Sequence, residues 1–285
     1  MNASDRDHQT VIRPTQGWRF LDWRELWAYR DLLTLLVWRD ISARYKQTIL
    51  GPLWFVVQPV LTTIMFTVVF GRLAKISTDG VPPMLFYLCG LLQWGYFSQN
   101  FQSTSTTLSN NAGLFGKVYF PRLIVPLSGI FSNIVPFFIQ LATFAAFFVW
   151  FKFSSSELTF GLDSTAWLLP LITLQVAAIS LGVGLWVAAL TTKFRDFSIL
   201  ATFIIQLWLY ATPVIYPLAR IPERWRLWVA LNPMTMPIEC TRKMLLGEGQ
   251  PTFNLIGISV GVTLATLVSG LLIFQRVEKT FVDVI

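Results

Sequence analysis

Long uncharged blocks alternate with short charged connectors along this chain. Asp, Glu, Lys and Arg are absent from Gln47 to Gly71, Gly80 to Gly116, Leu123 to Phe151, Ser164 to Thr192, Phe197 to Ala219 and Gly249 to Gln275. Each block exceeds the roughly 20 residues with which an α-helix crosses about 30 Å of hydrocarbon. A membrane barrel would show many alternating segments of about ten residues. The pattern therefore predicts an all-α bundle, in which each segment satisfies its own backbone. The predicted spans are residues 53–73, 82–108, 123–151, 166–191, 197–216 and 253–275, within a transmembrane domain over 53–276.

Residues 23–52, ahead of the first span, read as an amphipathic helix and linker. Wound as a helix, they place Leu26, Tyr29, Leu33, Leu36 and Val37 on one face and Arg24, Asp31, Arg39 and Ser42 opposite. Such a helix lies in the membrane interface or packs on a partner or on the bundle itself, and periodicity does not separate these readings. At its end Arg44 and Lys46 suit anionic head groups, Gly51 and Pro52 break the helix, and Trp54 anchors the span at the membrane surface. A routine passage from interface into bilayer would use the same residues. Residues 1–22 read as a flexible cytoplasmic tail and 277–285 as a cytoplasmic C-terminal tail. Because more than forty residues, many of them charged, precede the first apolar block, no cleavable signal peptide is expected.

Composition agrees with a membrane protein. Hydrophobic residues fill 54% of the 285 positions and charged residues 13%, against a usual charged share of about 25%. Mean hydropathy is +0.58. Too few charges remain to clothe a solvated surface, which argues against a soluble enzyme. The formal net charge of +7 is scattered among connectors, which argues against nucleic-acid binding. Cys89 lies in an apolar block and Cys240 in a polar one, so no disulfide framework is expected. The N-terminal flank carries Arg6, Arg13, Arg19, Arg24, Arg30, Arg39, Arg44 and Lys46, and an even number of spans then places both termini in the cytoplasm. The connector from Ala219 to Gly249 breaks the rule by placing Arg220, Arg224, Arg226, Arg242 and Lys243 outside.

Several kinds of chemistry lack their residues. No G-x-x-x-x-G-K-[ST] loop occurs, so ATP energy has to come from another chain. The single histidine, His8, cannot supply a metal site, a triad or a proton relay. No acid falls inside a span, which disfavours a proton-driven carrier. A membrane enzyme would have to use Asp79, Glu157 or Asp163, which stand singly in external loops, without the paired carboxylates of glycosyl chemistry.

The remaining candidates are polar and aromatic. Gln58 and Thr62 share a helical face, and with Phe55, Phe66, Gln206, Trp208 and Tyr210 they are channel-lining candidates for a hydroxyl-rich solute. The alternative is that Gln and Thr bond helices together and the rings face lipid. Gly113 to Pro126 is a short cytoplasmic element with Phe115, Tyr119 and Phe120 expected at its surface, either as a knob for a partner's groove or as a turn on the head groups. Pro222 to Leu231 and Thr235 to Leu246 form two short helices split by Asn232 and Pro233, apolar enough to dip into the outer interface.

Five motifs in order, RYKQTILGPLW at 44–54, KVYFPRLIVP at 117–126, TPVIYP at 212–217, LNPMT at 231–235 and RVEKTFVDVI at 276–285, resemble the permease subunits of ABC exporters for O-antigen and related polysaccharides. The resemblance extends from about Leu32 to Ile285. It implies an all-α integral membrane protein of the bacterial inner membrane, with six transmembrane helices, an N-terminal amphipathic interface helix, a cytoplasmic coupling helix and periplasmic re-entrant gate helices. It implies a homodimer with two copies of a separate ATPase that binds ATP and Mg, and no cofactor in this chain. The substrate it implies is a polyprenyl-diphosphate-linked polysaccharide, with capsule and teichoic acid polymers carried by similar permeases. By the same resemblance Leu114, Phe115, Lys117, Tyr119, Phe120 and Arg122 couple to the ATPase, and Arg224, Trp225, Trp228, Asn232, Pro233 and Arg242 belong to the periplasmic gate. A stand-alone carrier or channel and a membrane enzyme are the competing readings.

Overall fold

The computed structural model describes residues 23–46, 49–115, 119–154, 160–194 and 196–281, and every regular element among them is helical. The 1–22 tail, Lys117 and Glu157 lie outside the described residues. A short helix, α1 (Trp23–Ala28), leads into α2 (Arg30–Tyr45). Gly51 takes a φ of +49°, and Pro52 starts the single tight turn Gly51–Leu53 that opens α3 (Trp54–Phe66). The helix continues as a wider π-helical stretch over Thr67–Leu73. After α4 (Pro83–Ser105) come the single turns α5 (Thr107–Asn110) and α6 (Ala112–Phe115). Then α7 (Ile124–Ser132) and α8 (Ile134–Ser154) follow almost without a break. The chain ends with α9 (Leu169–Lys193), α10 (Asp196–Ala211), the pair α11 (Glu223–Ala230) and α12 (Thr235–Leu246), and α13 (Phe253–Phe281).

Among the described residues four helical stretches, Gly51–Leu73, Ile124–Ser154, Ala166–Lys193 and Phe253–Glu278, are long and apolar enough to cross a membrane. The other two apolar blocks differ for separate reasons. α4 has 23 residues, ~34 Å at about 1.5 Å per residue, but its second half carries Gln99, Asn100, Gln102, Ser103, Thr104 and Ser105. It packs against α3, α8, α9 and α12, which bury Asn100, Thr104 and Ser105. α10 stops at Ala211 instead of running to 216, because Pro213 and Pro217 cannot continue the helical ladder.

Small residues let α9 act as the spine. A Cβ on Gly182 would stand 2.7 Å from the Leu267 amide nitrogen of α13, and one on Gly184 would stand 2.6 Å from the Thr104 side chain of α4. Close backbone approach is how helices associate where lipid offers no hydrophobic drive. In contrast, Thr63 is the one buried residue of α3, and only Ala201 and Ile205 are buried in α10.

At the end where α2 lies, Leu36, Phe120, Ile124 and Val125 form a small core, joined by Leu26, Tyr29, Leu32 and Leu33. The α2 face read from periodicity therefore packs on the bundle. The outer side keeps Trp27, Leu35 and Trp38 exposed. Phe120, expected at the surface, is 5% exposed because it folds beneath α2.

The α9–α13 crossing sets a test. Gly270→Val would drive a side chain into the Gly182 backbone and should destabilise by about 1–3 kcal/mol or more. Gly257→Val, with nothing within 4 Å of its Cβ, should change little. Thermal unfolding of the two detergent-solubilised variants reads the difference.

Candidate functional site

A cavity of about 570 Å³, open along one side, runs between α3 and α4. Phe55, Gln58, Pro59 and Thr62 line it from α3. From α4 come Gly95, Ser98, Gln99, Gln102 and Ser103, a polar stripe at three- and four-residue spacing that winding alone places on one side of the helix. Asn133 and Gln140, seven residues apart, complete the wall, and Arg44 closes the α2 end. Gly95 is small because the Gln140 amide lies over it; a Cβ there would meet Oε1 at 3.0 Å.

Arg44 is fixed from behind. Its Nη1 donates to Asn133 Oδ1 at 2.6 Å, and Asn133 Nδ2 donates to Asn100 Oδ1 at 2.7 Å. Both asparagines are buried, so a two-amide chain runs from the α4 core to the α2 end of the groove.

Lower on the same side, Tyr119 is exposed, while Leu114 and Phe115 are half-buried against the α2–α7 core. The Arg122 guanidinium sits 5.6 Å from the Phe115 ring centroid, and its Nη1 donates to the Glu278 carbonyl at 2.6 Å, tying this element to the end of α13. Lys46, Pro52 and Trp54 are exposed at the α2–α3 corner.

The far end of the bundle is organised around α12. Pro213 and Pro217 free backbone carbonyls that no helix can satisfy. Arg242 fills the gap: Nη2 donates to the Val214 carbonyl at 2.7 Å and Nη1 to that of Tyr216 at 3.3 Å. Its guanidinium carbon lies 3.8 Å from the Phe86 ring centroid, and Glu239 neutralises it at 3.1 Å. Glu239 also accepts from the amides of Leu218 and Gln250. The turn between α11 and α12 is held by Asn232, whose Oδ1 accepts from Trp208 Nε1 at 3.0 Å and whose Nδ2 donates to Thr212 Oγ1 at 2.8 Å. The Pro233 carbonyl accepts from Ser259 of α13. α12 is buried almost throughout, whereas α11 leaves Trp225, Leu227 and Trp228 exposed, with Arg224 over the Trp225 ring.

The sequence profile described as ABC-2 type transporter matches residues 31–246. The chain belongs to the ABC-2 type transporter membrane family. The O-antigen export system permease protein RfbA of Myxococcus xanthus is 29% identical over 249 residues, 83% of this chain and 90% of that protein. A Klebsiella pneumoniae protein of the same name is 26% identical, covering 90% of this chain and 95% of its own length. The polysialic acid transport protein KpsM of Escherichia coli is 23% identical, over 85% and 91%.

Set on this ABC-2 frame, the sequence candidates separate. Phe55, Gln58 and Thr62 share the groove with Arg44. Phe66 packs edge-on against Phe70 and Tyr87, Trp208 belongs to the Asn232 turn, and Gln206 and Tyr210 are exposed on α10. Asn133, Gln140 and Glu239 went unread, although the seven-residue spacing of the first two and the three-residue spacing of Glu239 and Arg242 were available. Asp163, a possible catalytic acid by sequence, accepts from the Thr165 amide at 2.9 Å and hydroxyl at 2.8 Å. Those bonds hold its carboxyl below the usual range and account for it as a turn former. Asp79 sits in a separate turn with Ser77.

Removing one partner of a buried ion pair strands the other. Glu239→Gln should therefore lower stability by about 3–5 kcal/mol, against about 1 kcal/mol for Trp208→Phe, which loses one hydrogen bond. Thermal unfolding of the purified protein checks the order.

Proposed function

We propose that this chain is the membrane-spanning permease subunit of an ABC exporter that moves a lipid-linked, O-antigen-type polysaccharide across the bacterial inner membrane. The observation that carries the reading is the family match over 31–246, supported by relatives named for O-antigen export. The amide- and hydroxyl-lined groove is a suitable surface for sugar hydroxyls. The polysialic acid transport relative supports a second reading in which the cargo is another cell-surface polymer, such as a capsule or teichoic acid chain.

On this reading six helices cross. α4 crosses shielded by its neighbours, and α10 together with its proline turn makes the fifth crossing. Both termini are cytoplasmic, α2 is the interface helix, and α11 with α12 forms a periplasmic gate. Two copies assemble around the polymer path, and the sparsely covered α3 and α10 supply apolar surface for that pairing or for lipid. ATP and Mg are bound by two copies of a separate ATPase, because this sequence has no phosphate-binding loop. The ATPase docks at α6 and Tyr119, and its cycle rocks the helices between inward- and outward-open arrangements.

Gentle purification of the tagged protein from its host should bring down a stoichiometric P-loop ATPase with vanadate-sensitive activity. Depletion of the chain should leave glycan on its lipid inside the cell. A homogeneous preparation without an ATPase, from membranes where such complexes survive detergent, would overturn the reading. Tyr119→Asp should abolish ATPase co-purification with unchanged thermal stability, since Tyr119 is 72% exposed; Phe120→Asp, at 5% exposure, should instead unfold the α2 core.

A further inference from the structure

One buried amide in the groove wall is left unused by the bundle. Gln140 of α8 is only 6% exposed and lines the groove, and its amide has no hydrogen-bond partner among the described residues. Burying an amide without a partner is costly, and at membrane depth no bulk water offsets the loss. The neighbouring polar groups are employed: Thr62 and Ser98 donate to carbonyls of their own helices, Gln102 reaches Thr202, and Asn133 is bonded on both sides. α4 makes room for the Gln140 amide. At Gly95 a Cβ would stand 3.0 Å from Oε1 and 3.5 Å from Nε2, so both ends of the amide lie over bare backbone. Gln58 of α3 and Gln99 of α4 line the same groove and also lack partners among the described residues. Three helices thus each present one unused amide to a single space.

We propose that Gln140 is a specificity-determining residue: its amide, set over Gly95, takes two neighbouring hydroxyls of an uncharged sugar ring, and the groove rejects polymers whose repeats carry carboxylates. This rests on the reading of the groove as part of a polysaccharide path. An amide offers a donor and an acceptor side by side, and a pair of hydroxyls satisfies both at once. An ionised carboxylate only accepts, so it would leave Oε1 facing an anion, and a low-dielectric wall does little to weaken that repulsion. Among the described lining residues the only charge is Arg44 at the α2 end, which already donates to Asn133. Asn133 precedes Gln140 by seven residues, ~10 Å of helix at about 1.5 Å per residue, so acidic repeats along the amide wall would find no counter-charge there. A site built to bond hydroxyls discriminates strongly, because the wrong ligand leaves its buried polar groups unpaired. On this assignment the cargo is an uncharged polymer and not an acidic capsule chain.

The test joins stability to export. Gln140→Leu removes an amide that bonds nothing in the chain, so thermal unfolding of the purified permease–ATPase complex should be unchanged or shifted upward. Export by the same variant in the host should fall about tenfold, the worth of one or two hydrogen bonds to the cargo. Gly95→Ala, which displaces the amide without removing it, should lower export in the same direction, and Gln140→Asn should keep part of it. A lowered unfolding temperature in Gln140→Leu would make the residue a structural one and overturn the assignment, as would full export by that variant. Charge selection is read on the host's own glycan, isolated on its lipid after depletion of the chain. Sugar analysis should find no uronic or sialic acid in the repeat. An acidic sugar in every repeat would overturn the Gln140 proposal and leave the permease reading standing, whereas no accumulated glycan at all would overturn both.

Discussion

Inside this bundle the carbonyls of Val214 and Tyr216 have no helical partner, because the prolines at 213 and 217 interrupt the chain, and Arg242 is the donor that reaches both. A guanidinium with 2% of its side chain exposed is tolerable only beside a counter-charge, which Glu239 supplies from one helical turn away at 3.1 Å. Much of the far end follows from that pair. It fixes α12 against the turn that closes α10, and it presses the guanidinium onto Phe86, near Gly90, where a Cβ would stand 3.2 Å from Arg242 Nη2. With α12 placed, Gly247 ends it in the left-handed region at φ +75°, and the chain at Gly161 and Asp163 returns to bond the carbonyls of Leu246 and Met244. An apolar replacement could fill the same volume but would leave those carbonyls orphaned in a medium that has no water to offer them.

The opposite end solves a different problem. α4 is too polar in its second half to face lipid, so it lies at the centre, and its side chains divide between those that bond neighbours and those that face the groove. Asn100 turns to Asn133, Gln102 reaches Thr202 of α10, and Ser98, Gln99 and Ser103 open to the cavity. The groove is thus the place where the hydrogen-bonding capacity of α4 exceeds what the surrounding helices use.

How much of this could be read beforehand depends on the distance over which each cause acts. Uncharged blocks predicted helix throughout, and four of them are helical stretches long and apolar enough to cross a membrane among the described residues, because length and apolar content are properties of each segment alone. The α11–α12 pair was legible from Asn232 and Pro233, and the α2–α3 corner from Gly51 and Pro52, because breakers act locally. What escaped depends on partners distant in sequence. Phe120 looked like a surface ring until α2 covered it, and Trp208 looked like a track for sugars until Asn232, 24 residues on, took its indole N–H. The polar stripe of α4 gains its meaning only with Asn133 and Gln140 opposite.

The two ends also differ in how tightly they are knit. Close contacts at Gly182, Gly184 and Gly270, with the Arg242 clamp, bind α4, α9, α12 and α13 into one block whose members cannot slide without opening those contacts or breaking buried polar bonds. α3 and α10 touch that block along narrow stripes, and α2 joins it through the small Leu36–Phe120 core. Segments with few buried contacts open at lower free energy than the core they rest on, so a conformational cycle has less to break at α2, α3 and α10 than within the block. The chain from Arg44 through Asn133 to Asn100 crosses that boundary, with its cation on the loosely held side, Asn133 at the α7–α8 junction between, and Asn100 on the fixed side. Displacement of α2 therefore has to stretch or break a 2.6 Å charge-assisted hydrogen bond at the mouth of the groove, which makes that mouth the place where a movement of the α2 end meets the groove wall.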